Sequence, residues 1–480
     1  MGNTFLFISI LLVLTNRAFC GYVDDGDVKY KNGNLDGAIQ DYTKAISLKP
    51  DDATAFNNRA AVEYDKGDLN KALEDCNKAI ELSPDYGNAY GNRGNVKGAK
   101  GDIDGAIQDY TKALEIQPED AKSYYNRAAS KFEKGDSVGA LSDYTKAIDL
   151  KTNYVSAYYN RGYIKYRKGD LDGAITDFNK AIELKPDNIQ AFIDRSIALK
   201  TKGDLNGALE DCNKVIKLKP TDEDAFYNRG QIKKDKGDLD GAISDYNSAI
   251  ALKPNDSLAF YNRGLAKRIK GDLDGAIADF DKTIELKPDD VVAFYSRGST
   301  KYRKGDFDGA ITDYDKTLVL KPNLAEAYYN RGMAKNSKGN YDDAIADYTK
   351  AIRLKPNYTK AYNNRGWSEF LKNDFDNAIN DASHAIQLDP QNGHNYNTRG
   401  WALFKKGDVS AALEDFKKSA DYEGVNSIKA AESQGMINFI EGNYQKAVDS
   451  FEKAIQHDSS AQHLLQPWIE KAKSEVKKTP

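Results

Sequence analysis

Residues Leu258–Pro288 read LAFYNRGLAKRIKGDLDGAIADFDKTIELKP, and this stretch decides the fold. Ala259–Lys270 reads as a first helix. Gly271 ends it, because glycine accepts the left-handed backbone of a helix C-terminus. The Asp272 carboxylate caps a second helix over Leu273–Leu286, and Pro288 blocks its extension. Small residues, Gly264 on the first helix and Ala276 on the second, stand where the helices must approach. Phe260, Ile277 and Phe280 supply the apolar face at helical spacing.

The pattern repeats outward with a period of 34 residues. Arg59, Arg93, Arg127, Arg161, Arg195, Arg229, Arg263, Arg297, Arg331, Arg365 and Arg399 fall on it without a slip. The prolines from Pro50 to Pro390 share the phase of Pro288. A helix pair of this size cannot bury its apolar face alone, so neighbouring units must stack into a line. Count Ser257 as position 1. The aromatic at position 4 (Phe260), Gly at 8 (Gly264), Ala at 20 (Ala276), aromatic at 24 (Phe280) and Pro at 32 (Pro288) then resemble the tetratricopeptide repeat. Position 27, usually Ala, is Thr283 in this unit. The match covers about thirteen units, from Tyr22 to about His457. The resemblance implies an all-α fold, an α-solenoid forming a right-handed superhelix of antiparallel helix pairs, with each first helix lining the concave face. Residues 21–458 are read as one solenoid and residues 459–480 as a closing helix and tail. In that tail Leu464, Trp468, Ala472 and Val476 are four apart.

The amino terminus departs from the period. Phe5–Leu14 (FLFISILLVL) is apolar, and Ala18-Phe19-Cys20 places small residues before Gly21. Residues 1–20 are therefore expected to be a secretory signal peptide cut near Gly21. A secreted or periplasmic location follows if the signal is cleaved, and a membrane anchor if it is not. Counting back by 34 places Tyr22 and Gly26 on repeat positions 4 and 8, so the first unit would survive the cut almost whole. Charged residues make up 30% of the chain and nearly cancel, leaving a net charge of −4. That balance argues against nucleic acid, which calls for a basic stripe. Cys76 and Cys212 lie four units apart, too far for a disulfide in a linear stack.

No catalytic or metal-binding constellation stands out. The four histidines, His384, His394, His457 and His463, lack metal-ligand spacing. There is no phosphate loop and no nucleophile elbow. Neither an enzyme nor a cofactor, metal or small-molecule substrate is expected. A long solenoid surface argues for binding, with a protein or peptide as partner.

Candidate contacts lie on the first helices. Position 6 holds Asn58, Asn92, Asn126, Asn160, Asn228, Asn262, Asn330 and Asn364. Position 5 holds Tyr125, Tyr159, Tyr227, Tyr261, Tyr295 and Tyr329. An Asn amide both donates to and accepts from one peptide unit, so such a row is expected to hold an extended polypeptide by its backbone in the concave groove. The span Asn126–Asn330 is favoured because Tyr at position 5 is densest there, with Asp194 and Ser296 as interruptions. The alternative is a structural spacer that self-associates through its solenoid ends. The carboxylate clamp of this family's chaperone adaptors needs Lys at position 5, which no unit has. Asn95 is the one Asn at position 9, and its unit carries Gly91 at position 5.

Two departures from the family pattern concern charge. Position 7, usually Leu, is Arg, and position 11, often Tyr, is mostly Lys, as at Lys97, Lys165, Lys267 and Lys301. A charge at a packing position must be paired. Asp245 of the preceding unit and Asp279 of the same unit are the candidates for Arg263.

Overall fold

The computed structural model describes residues 18–424, 427–457 and 461–478. The apolar run Phe5–Leu14 lies outside them. Residues 18–31 are helical, and short-linked helices follow in pairs to Gln462–Val476, with no strand among the described residues. The chain is an all-α solenoid of consecutive helix pairs. It divides into two compact units, up to Ile232 and from Lys233 onward.

The type repeat shows how the sequence produces the hairpin. Its first helix runs Ser257–Lys270 and its second Leu273–Leu286. The first begins two residues before the expected start, because the Asp256 carboxylate accepts from the Leu258 N–H at 2.9 Å. Gly271 closes it at φ 95°, and Asp272 accepts from the Gly275 N–H at 2.9 Å. One repeat replaces the glycine at this turn by Asn373, which takes φ 64°. Asn is among the few non-glycine residues that enter the left-handed region readily.

Close approach explains the small residues. A Cβ built on Gly264 would lie 2.9 Å from Phe280 Cε1 and 3.2 Å from Asp279 Cβ. Ala259, Ala276 and Phe280 are fully buried, and burying a phenylalanine side chain contributes roughly 1.5–3 kcal/mol. The same geometry holds at the amino terminus, where a Cβ on Gly26 would meet Tyr42 at 2.7 Å. Gly26 therefore packs as the glycine of repeat position 8. On the surface, Lys270 and Lys202 reach Asp240 and Asp172 of the preceding repeats at 2.5 and 2.6 Å. Solvent screening leaves exposed pairs of this kind little net stabilisation.

Between Ala420 and Lys429 the sequence carries one residue more than the period allows, and the second helix of that hairpin takes it up, running 15 residues against 14 for Leu273–Leu286. The helix Val409–Glu423 ends at Gly424 (φ 71°), and the Ser427 hydroxyl caps Ile428–Ile440. Gly435 still meets the ring of Phe451, at 2.4 Å from a built Cβ, so the shifted glycine keeps its packing role. The closing helix Gln462–Val476 buries Leu465, Ile469 and Ala472. Of the four residues expected to cover the stack, only Ala472 is on that fully buried face. Leu464 and Trp468 pack beside it, because helical spacing places the buried stripe one residue further along.

Candidate functional site

The repeating arginine is structural. Arg263 Nε donates to Asp279 Oδ2 at 2.9 Å and Nη2 to Asp279 Oδ1 at 2.5 Å. Of the two candidates, the aspartate of its own hairpin makes this bond. In the first compact unit the same fork joins Arg59–Asp75, Arg93–Asp109, Arg127–Asp143, Arg161–Asp177 and Arg195–Asp211. In the second it joins Arg297–Asp313, Arg331–Asp347, Arg365–Asp381 and Arg399–Asp415. The aspartates are buried. The position 11 lysine closes the other side of the carboxylate: Lys267 Nζ is 2.9 Å from Asp279 Oδ2, Lys165 2.8 Å from Asp177 and Lys97 2.8 Å from Asp109. Where Leu199 replaces that lysine, Asp211 keeps Arg195 alone, and burial pushes its carboxyl up. The aromatic at position 4 lies beneath the guanidinium, with Arg263 5.2 Å from the Phe260 ring centroid.

The link between repeats is an arm that sequence reading missed. Arg Nη1 reaches a short polar side chain at position 25 of the preceding repeat. Arg263 donates to Asn247 at 2.6 Å, Arg93 to Asn77 at 2.9 Å, Arg127 to Thr111 at 3.1 Å and Arg331 to Asp315 at 2.5 Å. The signal was present, because position 25 is Thr, Asn, Asp or Ser wherever an arginine follows 16 residues later. It fails at Lys417, where no arginine follows, and Lys417 pairs with Glu441 at 3.1 Å instead.

Three asparagines of the row hydrogen-bond to tyrosines of the preceding repeat. Asn160 Nδ2 donates to Tyr125 Oη at 3.0 Å, Asn330 to Tyr295 at 2.8 Å and Asn364 to Tyr329 at 3.0 Å. Each bond spans 35 residues, from position 5 of one repeat to position 6 of the next. The two interruptions obey the same rule: Tyr159 donates to Asp194 at 2.6 Å, and Tyr261 and Ser296 share a bond at 3.1 Å. Burial pushes the Asp194 carboxyl up despite that donor. Asn262 donates to the Leu258 carbonyl at 3.0 Å. Asn228 is half-buried and follows Ile193, which has no hydroxyl to offer; Tyr227 is also half-buried.

One stretch differs. Asn57, Asn58, Asn88, Asn92, Asn95 and Asn126, with Ala61, Gly91, Asp120, Lys122 and Ser123, line a cleft of about 320 Å³ in the first compact unit. Gly91 holds position 5, so no tyrosine fills the space, and a Cβ there would have 3.5 Å to Ser123 Oγ. Asn126 turns to Asn95 Oδ1 at 2.9 Å, where Tyr110 Oη also donates at 2.9 Å. Asn92 donates to Asn57 Oδ1 at 2.9 Å, and Asn58 to Asp27 at 3.2 Å. The amides are thus held in fixed orientations around an open polar space. Asn57, Asn88 and Asn95 were not among the expected contacts, because none of them lies at position 6.

Among the described residues no group of His, Cys, Asp and Glu is arranged to hold a metal, and no helix is long and apolar enough to cross a membrane.

Family models for the tetratricopeptide repeat match residues 53–86, 155–188 and 325–358, and 258–290 and 359–392, and 397–462. A further repeat model matches 26–64, 94–135, 130–169, 230–268 and 298–336. No curated protein sequence matches the chain. Among solved structures, YrrB, described as a repeat protein with an unusual peptide-binding site, is 28% identical over 40% of this chain and 98% of its own, with a TM-score of 0.36. Yeast Tom70 is 21% identical over 94% of this chain and 99% of its own, with a TM-score of 0.35. The Cut9–Hcn1 hetero-tetramer structure is 14% identical over 97% and 98%, with a TM-score of 0.41. The chain belongs to the tetratricopeptide repeat family, whose members generally serve as protein-interaction scaffolds.

Proposed function

We propose that the chain is a scaffold that holds an extended polypeptide, and that the asparagine cleft at Asn57–Asn126 is where it does so. The observation that carries this reading is the convergence of six amides on one open space. Beyond their mutual bonds the six amides together keep donors and acceptors for a peptide unit, and those bonds keep them pre-set for a partner. In the Tyr-dense span Asn126–Asn330 the amides of Asn160 and Asn330 already face tyrosines of the preceding repeat, so the favoured contact moves toward the amino terminus. Backbone recognition makes the grip tolerant of sequence. With export through the amino-terminal segment, the partners belong to the compartment outside the cytoplasm.

The test is capture from a library of unstructured peptides by the parent chain and by a variant with Asn92, Asn95 and Asn126 changed to Ala. Helicity and melting are checked first. Capture by the parent and loss in the variant supports the cleft. Equal capture moves binding elsewhere. No capture with concentration-dependent size supports the spacer alternative.

A further inference from the structure

The position 11 lysine closes the ionic spine in most repeats, and two repeats place an acid there. Glu63 stands on the helix Ala53–Lys66 and Glu369 on the helix Thr359–Leu371. Each lies beside the aspartate of its own hairpin, which already takes the arginine fork: Arg59 to Asp75 at 2.6 and 2.9 Å, and Arg365 to Asp381 at 2.6 and 2.7 Å. Glu63 is 5% exposed and Glu369 9% exposed. One oxygen of each, Oε2, is buried without a hydrogen-bond partner.

The charge count decides the chemistry. In the repeats that carry the lysine, two cations surround one carboxylate. Here one guanidinium faces two carboxyls, and two neighbouring buried carboxylates cannot both ionise cheaply. A proton on the glutamate removes the repulsion. It also makes the glutamate a potential donor toward the aspartate, on the side that lysine occupies in other repeats.

The surroundings offer little relief. Glu63 is faced by Arg59 and Lys66 on its own helix and by Asp75, Lys71, Asp68 and the Cys76 thiol of the second helix and its cap. In the flanking repeats Asp41 is held by Lys29, and Lys97 is held by Asp109. Glu369 is faced by Arg365 on its own helix and by Asp381 and Asp374 of the second. In its flanking repeats Lys335 is held by Asp347, and Arg399 by Asp415.

We propose that Glu63 and Glu369 are proton-binding positions of the spine, neutral in the folded repeats, and that losing the proton as the pH rises loosens the hairpins that carry them. Burial first, and then Asp75, push the Glu63 carboxyl up to about 7. Burial and then Asp381 push Glu369 up to about 8. A carboxyl raised in the folded state stabilises the fold fully below its ordinary value. That contribution is lost as the pH rises through about 7 at Glu63 and about 8 at Glu369. The helix carrying Glu63 also supplies Asn57 and Asn58 to the cleft, so opening at the first site is felt there.

The experiment compares thermal unfolding of the full chain at pH 5.5, 7.0 and 8.5 for the parent, a Glu63→Gln and Glu369→Gln double variant, and a Glu63→Lys and Glu369→Lys double variant. Glutamine mimics the protonated acid. The parent midpoint is expected to fall by several degrees more between pH 5.5 and 8.5 than that of the Gln variant. The Lys variant, which restores the triad, should exceed the parent most at pH 8.5. Carboxyl ¹³C titration of the parent should show two signals moving near neutrality that the Gln variant lacks. Parallel melting profiles for parent and Gln variant, or glutamate signals that all titrate near about 4.3, overturn the proposal, even where the Lys variant does not fold.

Discussion

Two consecutive steps of one ladder have different uses. From Tyr125 to Asn160 the position 5 hydroxyl accepts the position 6 amide at 3.0 Å, and the two repeats are stitched together. One step earlier, Gly91 leaves Asn126 without that acceptor, and Asn126 turns to Asn95 at the wall of an open cleft. The helices, the spine and the asparagine are the same. The residue 35 places earlier decides whether an asparagine serves as a stitch or lines an open cleft.

The largest effect is expected where both steps depend on the same spine. Asp279→Ala leaves Arg263 and Lys267 facing an apolar gap and should cost about 3–5 kcal/mol, as buried charges stripped of their partner do. Arg263→Leu removes the charge and restores the family residue, so it should cost distinctly less. Urea unfolding of both variants measures the difference, and the reverse order would remove the spine from the account.

The comparison itself is tested by converting one step into the other. Gly91→Tyr should fill the cleft, offer Asn126 a hydroxyl and abolish peptide capture. The repeat should stay as stable or gain up to about 1 kcal/mol, because glycine inside a helix is unfavourable by that amount. Calorimetry with a captured peptide and a melting curve decide it, and undiminished binding would place the peptide elsewhere.

A sharper contrast comes from deleting amides on each side. Asn92→Ala should weaken capture by about 0.5–1.5 kcal/mol, the net value of a hydrogen bond. Asn330→Ala should leave capture unchanged, and so should the triple change of Asn228, Asn262 and Asn330 to Ala. A loss in the triple variant with Asn92→Ala silent would return the site to the Tyr-dense span.

The smallest effect belongs to the stitch alone. Tyr295→Phe deletes the hydroxyl that accepts from Asn330 at 2.8 Å. It should lower stability by about 0.5–1.5 kcal/mol with no change in capture, which paired melting and binding measurements check.

Much of this molecule was open to sequence reading, because a period of 34 leaves each local rule eleven chances to show itself. Gly271 and Pro288 mark the helix ends by backbone geometry, and Asp272 marks a helix start by its capping carboxylate. Gly264 and Phe280 mark the helix contact by size. The burial of an arginine at a leucine position required a carboxylate, and Asp279 stood at the right phase. These are short-range constraints, set within one hairpin, so spacing and side-chain chemistry are enough to determine them. The closing helix was found, but its buried stripe was misread by one residue, since Leu464 and Leu465 are equally apolar and only packing distinguishes them.

What remained depended on how one repeat meets the next. Position 25 looked like an ordinary polar surface until Arg Nη1 was seen to reach it. The asparagine row looked like a single ladder, yet its members differ according to whether residue 35 places earlier is Tyr125, Ile193 or Gly91. The two acids at Glu63 and Glu369 looked like common helix residues until the stack buried them beside Asp75 and Asp381. Sequence determines which groups each hairpin carries; tertiary structure decides which of them a neighbour satisfies, because hydrogen bonding and desolvation depend on distances between repeats that no spacing along the chain encodes.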